Sequence, residues 1–301
     1  MNREDYEFRL HQEFNFPLDV LREYICRKTD ISVSNFIKIV DGVDSEVYDI
    51  GKYIAKIGRN CEISYSCIQW AMKKCKERNI KVPEVIHCGR ISNGNTEFDI
   101  MVEEKIDGNS MTSNLYEEAG AELKKIHSIK VDGFWKMYEL GKFYIPANNE
   151  KHSTDGAYSP LRDLLAEYRA REIFSFKDIE YMEQAIKQHE NLEVYPVLCH
   201  GDFVPSHILC GKSLNGIIDF GDFQGGSIYI DIACFAINSD EKHFDKFIKG
   251  YGEIDRHELA LNTIFQLLWD LIEVRGYDDK KDEQNIEQKL IKEIRKADCG
   301  K

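Results

Sequence analysis

The sequence predicts an α+β fold, with an antiparallel sheet in the first third of the chain and a mainly helical remainder. Three observations carry this reading. Short β-forming runs joined by tight turns fill residues 35–57 and 84–103. Apolar residues at helical spacing mark 61–79, 115–127 and the stretch 240–300. Between these helical regions, Ile208-Leu209-Cys210 and Ile217-Ile218 flank the turn-rich segment 211–216, which reads as a hairpin.

Residues 1–30 place Phe8, Leu18, Leu21 and Ile25 at helical spacing, giving one or two surface helices before the sheet. Strands follow at 35–40, 46–50 and 53–57, with Gly42 and Ser45 in the first turn and Gly51-Lys52 in the second. Gly42 lets backbone approach a phosphate and Ser45 can donate to one, although any hairpin favours Gly and Asp. Lys56 lies on the third strand between Ala55 and Ile57, where an ammonium is costly without an anionic partner. The alternative is an edge-strand Lys reaching out to water. Ile63, Cys67, Ala71 and Cys75 recur every four residues in the helix 61–79, which stops ahead of Val82-Pro83. Two more strands, 84–89 and 97–103, surround an Asn93-Gly94 turn. A long loop spans 136–157.

The functional signal lies in Val197–Cys210 and Gly216–Gly221. Centring the hairpin on Ser213 sets His207 opposite Asp219, with Asp202 on the loop just before. An imidazole and two carboxylates in one place make a divalent-cation site with a base beside it. A buried strand pair with polar turn residues is the bland alternative. The order and spacing match phosphoryl-transfer chemistry. A catalytic Asp is followed five residues later by a metal ligand, and an Asp-Phe-Gly comes downstream. Gly211-Lys212-Ser213 fails as a nucleotide-binding Walker motif, because Ser206 stands where a Gly is required and a strand follows.

These motifs, over residues 35–275, resemble the aminoglycoside phosphotransferase family, in pattern its hygromycin B phosphotransferase-type members. His207 stands where Asn is usual, a replacement found in some members. The resemblance implies a protein-kinase-like two-lobe fold, with an N-lobe over 1–105, a C-lobe over 106–301 and a hinge near 104–108. It implies transfer of the γ-phosphoryl of ATP or GTP to a hydroxyl of an aminoglycoside, hygromycin-like molecules being among the candidates. Asp202 is then the base, His207 and Asp219 hold Mg²⁺, and Lys56, Gly42, Ser45, Glu103 and Lys105 contact the nucleotide. Asp240, Glu241, Asp270 and Glu273 are the carboxylates expected at substrate ammonium groups, a solvated acidic face being the alternative for each. Asp231 is expected to brace the catalytic loop, and His127 to cap its helix. Segments 128–134 and 155–163 also resemble the family. The family's helix Glu, partner of the strand Lys, is missing, since the middle of 61–79 reads Ile68-Gln69-Trp70 with only Glu62 and Glu77 near its ends. That leaves Lys56 expected to be mobile until phosphate arrives. A macrolide or amino-sugar/amino-alcohol acceptor is the same-class alternative, and a nucleotide-binding protein without turnover the different-class one.

A net charge of −13 argues against a nucleic-acid partner and is compatible with a cationic small molecule, or simply with solubility. Nine scattered cysteines without a Cys-x-x-Cys suit a reducing cytosol. Neither a signal peptide nor a membrane-length apolar run is present. The expectation is a cytoplasmic monomer with no membrane partner.

Overall fold

A computed structural model describes residues 16–39, 45–58, 64–111, 115–145, 155–276 and 280–299, the side chains of 155–157 and 297–299 excepted. Helix α1 (Leu18–Lys28) precedes a five-stranded antiparallel sheet of order β1-β2-β3-β5-β4. Its strands are β1 (Ile37–Ile39), β2 (Ser45–Asp49), β3 (Tyr53–Gly58), β4 (Val85–Asn93) and β5 (Thr96–Glu104). Alternation along β3 and β5 gives the sheet two different faces. Ala55, Ile57, Ile100 and Val102 point to one face and pack with Leu21 and Ile25 of α1, so the helix covers the sheet. Burying a side chain such as Ile57 contributes roughly 1.5–3 kcal/mol.

The opposite face carries Lys56, Met101 and Glu103, and here α2 (Tyr65–Lys76) packs through Ile68, Ala71, Met72 and Cys75. The helix is shorter than the predicted 61–79, because residues 77–79 form a turn that ends with Asn79 at positive φ. Residues 61–63 lie outside the described ones.

After β5 the chain makes β6 (Asn109–Ser110) and α3 (Tyr116–His127), then the hairpin β7 (Phe134–Glu139) and β8 (Lys142–Tyr144). That hairpin corrects the loop expected over 136–157. Aromatic residues pair across it, Phe134 with Tyr144, around the turn at Leu140-Gly141. Residues 146–154 lie outside the described ones. Helices α4 (Asp155–Arg171) and α5 (Phe176–Glu190) follow, the second opened by a reciprocal Ser175–Asp178 cap. Strand β9 (Val197–Cys199) leads into the hairpin β10 (Ile208–Cys210) and β11 (Leu214–Ile217), and β12 (Gln224–Gly226) returns beside β9. Helices α6 (Tyr229–Ile237), α7 (Glu241–Tyr251), α8 (Arg256–Gly276) and α9 (Lys280–Cys299) complete the chain. One core joins α2, α3, α6, α7 and the β10–β11 hairpin, and a second joins α4, α5, α8 and α9. The β10–β11 hairpin therefore sits under α2, between the sheet and the helices.

Candidate active site

Residues 200–207 form a short loop held at both ends. At its start Asp231, fully buried on α6, accepts from the His200 amide (2.7 Å), the Gly201 amide (2.8 Å) and His127 Nε2 (2.9 Å). His127 also bonds the Tyr251 hydroxyl at 2.9 Å. Its imidazole thus ties α3 to the loop instead of capping the helix, while Asp231 braces the loop as expected. Gly201 takes φ +88°, and a Cβ there would meet the Asp222 carbonyl at 1.8 Å, so only Gly fits this turn. His127, Cys199 and Asp231 cluster closely enough to suggest a metal. Burial pushes the Cys199 thiol well above its ordinary range, and His127 and Asp231 are already bonded to each other.

At the far end, His207 Nδ1 lies 3.0 Å from the Asp202 carbonyl. A carbonyl only accepts, so Nδ1 carries the proton and the Nε2 lone pair is left for a cation. Nε2 faces Asp219 Oδ2 at 3.7 Å, and Nδ1 lies 3.5 Å from Asp202 Oδ2. The hairpin register differs from the sequence expectation by one residue. The turn comes early, with Cys210 opposite Leu214. A bulge between Leu209 and Cys210 recovers one position and sets Ile208 opposite Ile217, so His207 faces Ile218, whose amide donates to its carbonyl at 2.9 Å. Asp219 still reaches His207 because it adopts the left-handed conformation, φ 66° and ψ 66°, which is strained for a residue with a side chain. Burial in the cleft works to raise the Asp219 carboxyl, but Lys56 and its other neighbours outweigh it and hold the group below its usual range. Just over half of its side-chain surface remains open to the cleft.

Lys56 Nζ pairs with Glu103 Oε1 at 2.9 Å. This corrects the expectation of a mobile Lys56, which is restrained without a helix Glu by the Glu103 carboxylate on the neighbouring strand. The diagonal Lys56–Glu103 pair follows from the register, which sets Lys56 opposite Met101 and Ile54 opposite Glu103. Lys105 is also engaged elsewhere. Its Nζ pairs with Asp49 at 2.7 Å and its amide donates to the Lys52 carbonyl, while the Glu104 amide donates to Glu84. Both hinge amides are thus taken up within the sheet. The Ser45 hydroxyl lies 2.7 Å from the Tyr65 hydroxyl at the start of α2. Gly42 and Glu62 lie outside the described residues.

Asp202 has 43% of its side chain exposed and accepts weakly from the Cys234 thiol at 3.6 Å. Beyond it lie two concavities. The first, of about 780 Å³, is lined by Asn238, Asp270, Glu273, Lys289 and Lys292, among others. Asp270 is pushed up to about 6, chiefly by burial, with Glu273 and Asp202 adding to the effect. Asp240 serves as the N-cap of α7, accepting from the His243 amide at 2.9 Å and pairing with its ring at 2.7 Å, and Glu241 is exposed on the first turn. The structure thus gives Asp240 a capping role and places Asp270 and Glu273 together.

The second concavity, of about 650 Å³, was not anticipated. Its walls are β7, β12, α4, α5, α6 and α8, with Trp135, Tyr158, Phe265 and Trp269 the main aromatic faces. An aromatic pair at i and i+4 on one helix, Phe265 and Trp269, was visible in the sequence, but helical spacing alone reads it as core.

A model of the "Phosphotransferase enzyme family" matches residues 41–261. No curated protein matches the chain by sequence. Among solved structures, a thermostable mutant of aminoglycoside phosphotransferase APH(4)-Ia superposes with a TM-score of 0.65 at 15% identity, covering 93% of this chain and 98% of that one. The GDP and kanamycin complex of APH(2″)-IIIa gives 0.59 at 15% identity over 93% and 99%. Spectinomycin phosphotransferase APH(9)-Ia with ADP and spectinomycin gives 0.59 at 16% identity over 91% and 93%. At such identities these likenesses establish the fold, a two-lobed kinase-like one.

Proposed function

The chain belongs to the phosphotransferase enzyme family, and on that premise we propose that it transfers the γ-phosphoryl of ATP or GTP to a hydroxyl of a small molecule, with Asp202 as the base. The single observation that carries this is Asp202 open to the cleft beside His207, whose Nε2 faces Asp219 at 3.7 Å. An imidazole lone pair and an ionised carboxylate fit a divalent cation, although Mg²⁺ prefers oxygen ligands. Mg²⁺ held by His207 and Asp219 would supply neutralisation of the triphosphate charge. Lys56, fixed by Glu103, presents its ammonium to the phosphates. Asp202 accepts the proton of the acceptor hydroxyl as its oxygen bonds to the γ-phosphorus, and the bond to the β-phosphate oxygen breaks to leave the nucleoside diphosphate. The Glu103 carboxylate removes the feature that suggested a protein without turnover.

For the acceptor, the family resemblance and the Asp270–Glu273 concavity support a cationic hydroxylated molecule, aminoglycosides being one class and amino alcohols another. The similar structures that hold kanamycin or spectinomycin point the same way. We place the lobe boundary between 105 and 106. We also propose a cytoplasmic setting, supported by the free cysteines among the described residues. No described helix is long and apolar enough to cross a membrane. Incubating the protein with labelled ATP or GTP, Mg²⁺ and a panel of aminoglycosides, macrolides and amino alcohols tests the reading. Acceptor-dependent release of nucleoside diphosphate supports it, and nucleotide that neither binds nor turns over contradicts it.

A further inference from the structure

The aromatic cavity carries an inference about the acceptor, resting on the phosphotransfer reading above. It adjoins the reacting groups through three of its wall residues. Ala233 precedes Cys234, whose thiol touches Asp202. Lys136 pairs with Asp222 at 3.0 Å, three residues after the metal-binding Asp219. Gln266 donates to Asp270 at 2.8 Å. The cavity and the acidic concavity therefore flank one helix, α8, on the acceptor side of Asp202.

The lining is unlike a site for an all-polar polycation. Among its described residues none is Asp or Glu. Its polar side chains are largely bonded to one another or to the cleft. The Tyr158 hydroxyl bonds His189 Nδ1 (2.9 Å), His189 Nε2 bonds Asn262 (3.1 Å), and the imidazole stacks on Phe265 with centroids 4.1 Å apart. What remains to meet a ligand is mostly aromatic surface. Trp135 adds a second observation. It stands at φ 65°, a conformation bulky residues rarely adopt, opposite Gly225 in the β7–β12 pair. Backbone strain of this kind persists where surrounding structure enforces it and clusters at ligand sites.

We propose that this cavity holds an apolar body of the acceptor, which is then an amphipathic amino alcohol with its hydroxyl at Asp202 and its basic nitrogen at Asp270. The volume suits a ring system of drug size. An acceptor made only of hydroxyls and ammonium groups would leave this aromatic wall unmatched.

Calorimetric titration of the full chain compares 1-amino-2-propanol with propranolol, which carries the same kind of amino-alcohol head on a naphthyl ring, and with kanamycin. The expected result is that propranolol binds more than tenfold more tightly than the small head group, since a buried ring of that size removes ample apolar area from water. Val194→Trp, which fills the cavity from a half-exposed wall position, removes that gain. Trp269→Ala, which strips one aromatic face, reduces it, and melting curves confirm that each variant is folded. Equal binding of the two amino alcohols, kanamycin binding more tightly than propranolol, or a gain that survives both variants would overturn the proposal. Failure of the phosphotransfer reading is separate. It would appear as a parent protein that binds the naphthyl compound but binds no nucleotide with Mg²⁺.

Discussion

At the phosphoryl end of the cleft the functional side chains are charged or ionisable, and named bonds hold Lys56 (by Glu103), His207 (by the Asp202 carbonyl) and the loop beneath them (by Asp231). At the acceptor end the wall is aromatic, its polar groups largely bond each other, and Asp270, a carboxylate raised chiefly by burial, adjoins the cavity through Gln266. On the proposed reading the first region serves one reaction, because charge on a transferring phosphoryl group must be met by groups already in place. On the same reading the second selects the shape of the acceptor. Changes in the first should alter turnover and nucleotide affinity, and changes in the second should alter only which acceptor is taken.

The sharpest break in this division should come from Asp219→Ala. We expect nucleotide affinity to fall to the level measured without Mg²⁺ and acceptor phosphorylation to become undetectable, because the triphosphate charge is left poorly neutralised. Equal affinity in parent and variant at saturating Mg²⁺ would remove Asp219 from the site. Asp231→Asn replaces an acceptor of three bonds with a group that must turn an amide toward buried donors. Breaking a buried ionic network typically costs about 3–5 kcal/mol, and chemical denaturation should show a loss of that order. A loss under about 1 kcal/mol, the scale of an ordinary hydrogen bond, would mean the loop is held by something else.

Glu103→Gln tests whether the strand carboxylate replaces the absent helix Glu. A bond to a charged group contributes about 1.5–3 kcal/mol, so turnover should fall by roughly tenfold or more, with Lys56→Ala costing further. Unchanged turnover in Glu103→Gln would return Lys56 to control by phosphate alone.

The smallest effect concerns Asp270, whose folded carboxyl is raised to about 6 by burial and by neighbouring carboxylates. A raised carboxyl binds protons more tightly in the folded state, so stability falls as pH rises from the unfolded value of about 3.9 through about 6. Asp270→Asn should therefore raise the melting temperature at pH 8 more than at pH 4.5. The reverse ordering would show that the ionised carboxylate is paired and stabilising. If Asp270 also holds an acceptor ammonium, the parent's KM for a cationic acceptor should rise as pH falls below about 6.

The phosphoryl end was legible in the sequence because its parts lie within one loop and one hairpin, where fixed offsets survive folding. Even there the hairpin turns early, with Cys210 opposite Leu214, a bulge recovers only one of the two positions lost, and the left-handed Asp219 restores the approach to His207. The partner of Lys56 was not legible by family pattern, which looks to a helix. It lies on the adjacent strand, and reading it required the pairing of Ile54 with Glu103. The acceptor end assembles residues from Phe134 to Trp269 across six elements. No local spacing encodes that meeting, and Phe265 and Trp269 look like core residues in isolation. The β7–β8 hairpin could have been read, since aromatic residues on both sides of Leu140-Gly141 are a hairpin signal.

The most direct test of the account is Asp202→Asn, assayed for both nucleotide affinity and acceptor-dependent diphosphate release. A general base contributes typically ~10²–10⁴-fold, so turnover should fall by that factor while Mg²⁺–nucleotide affinity stays nearly intact. Turnover within a few-fold of the parent would contradict the assignment of Asp202 as the base.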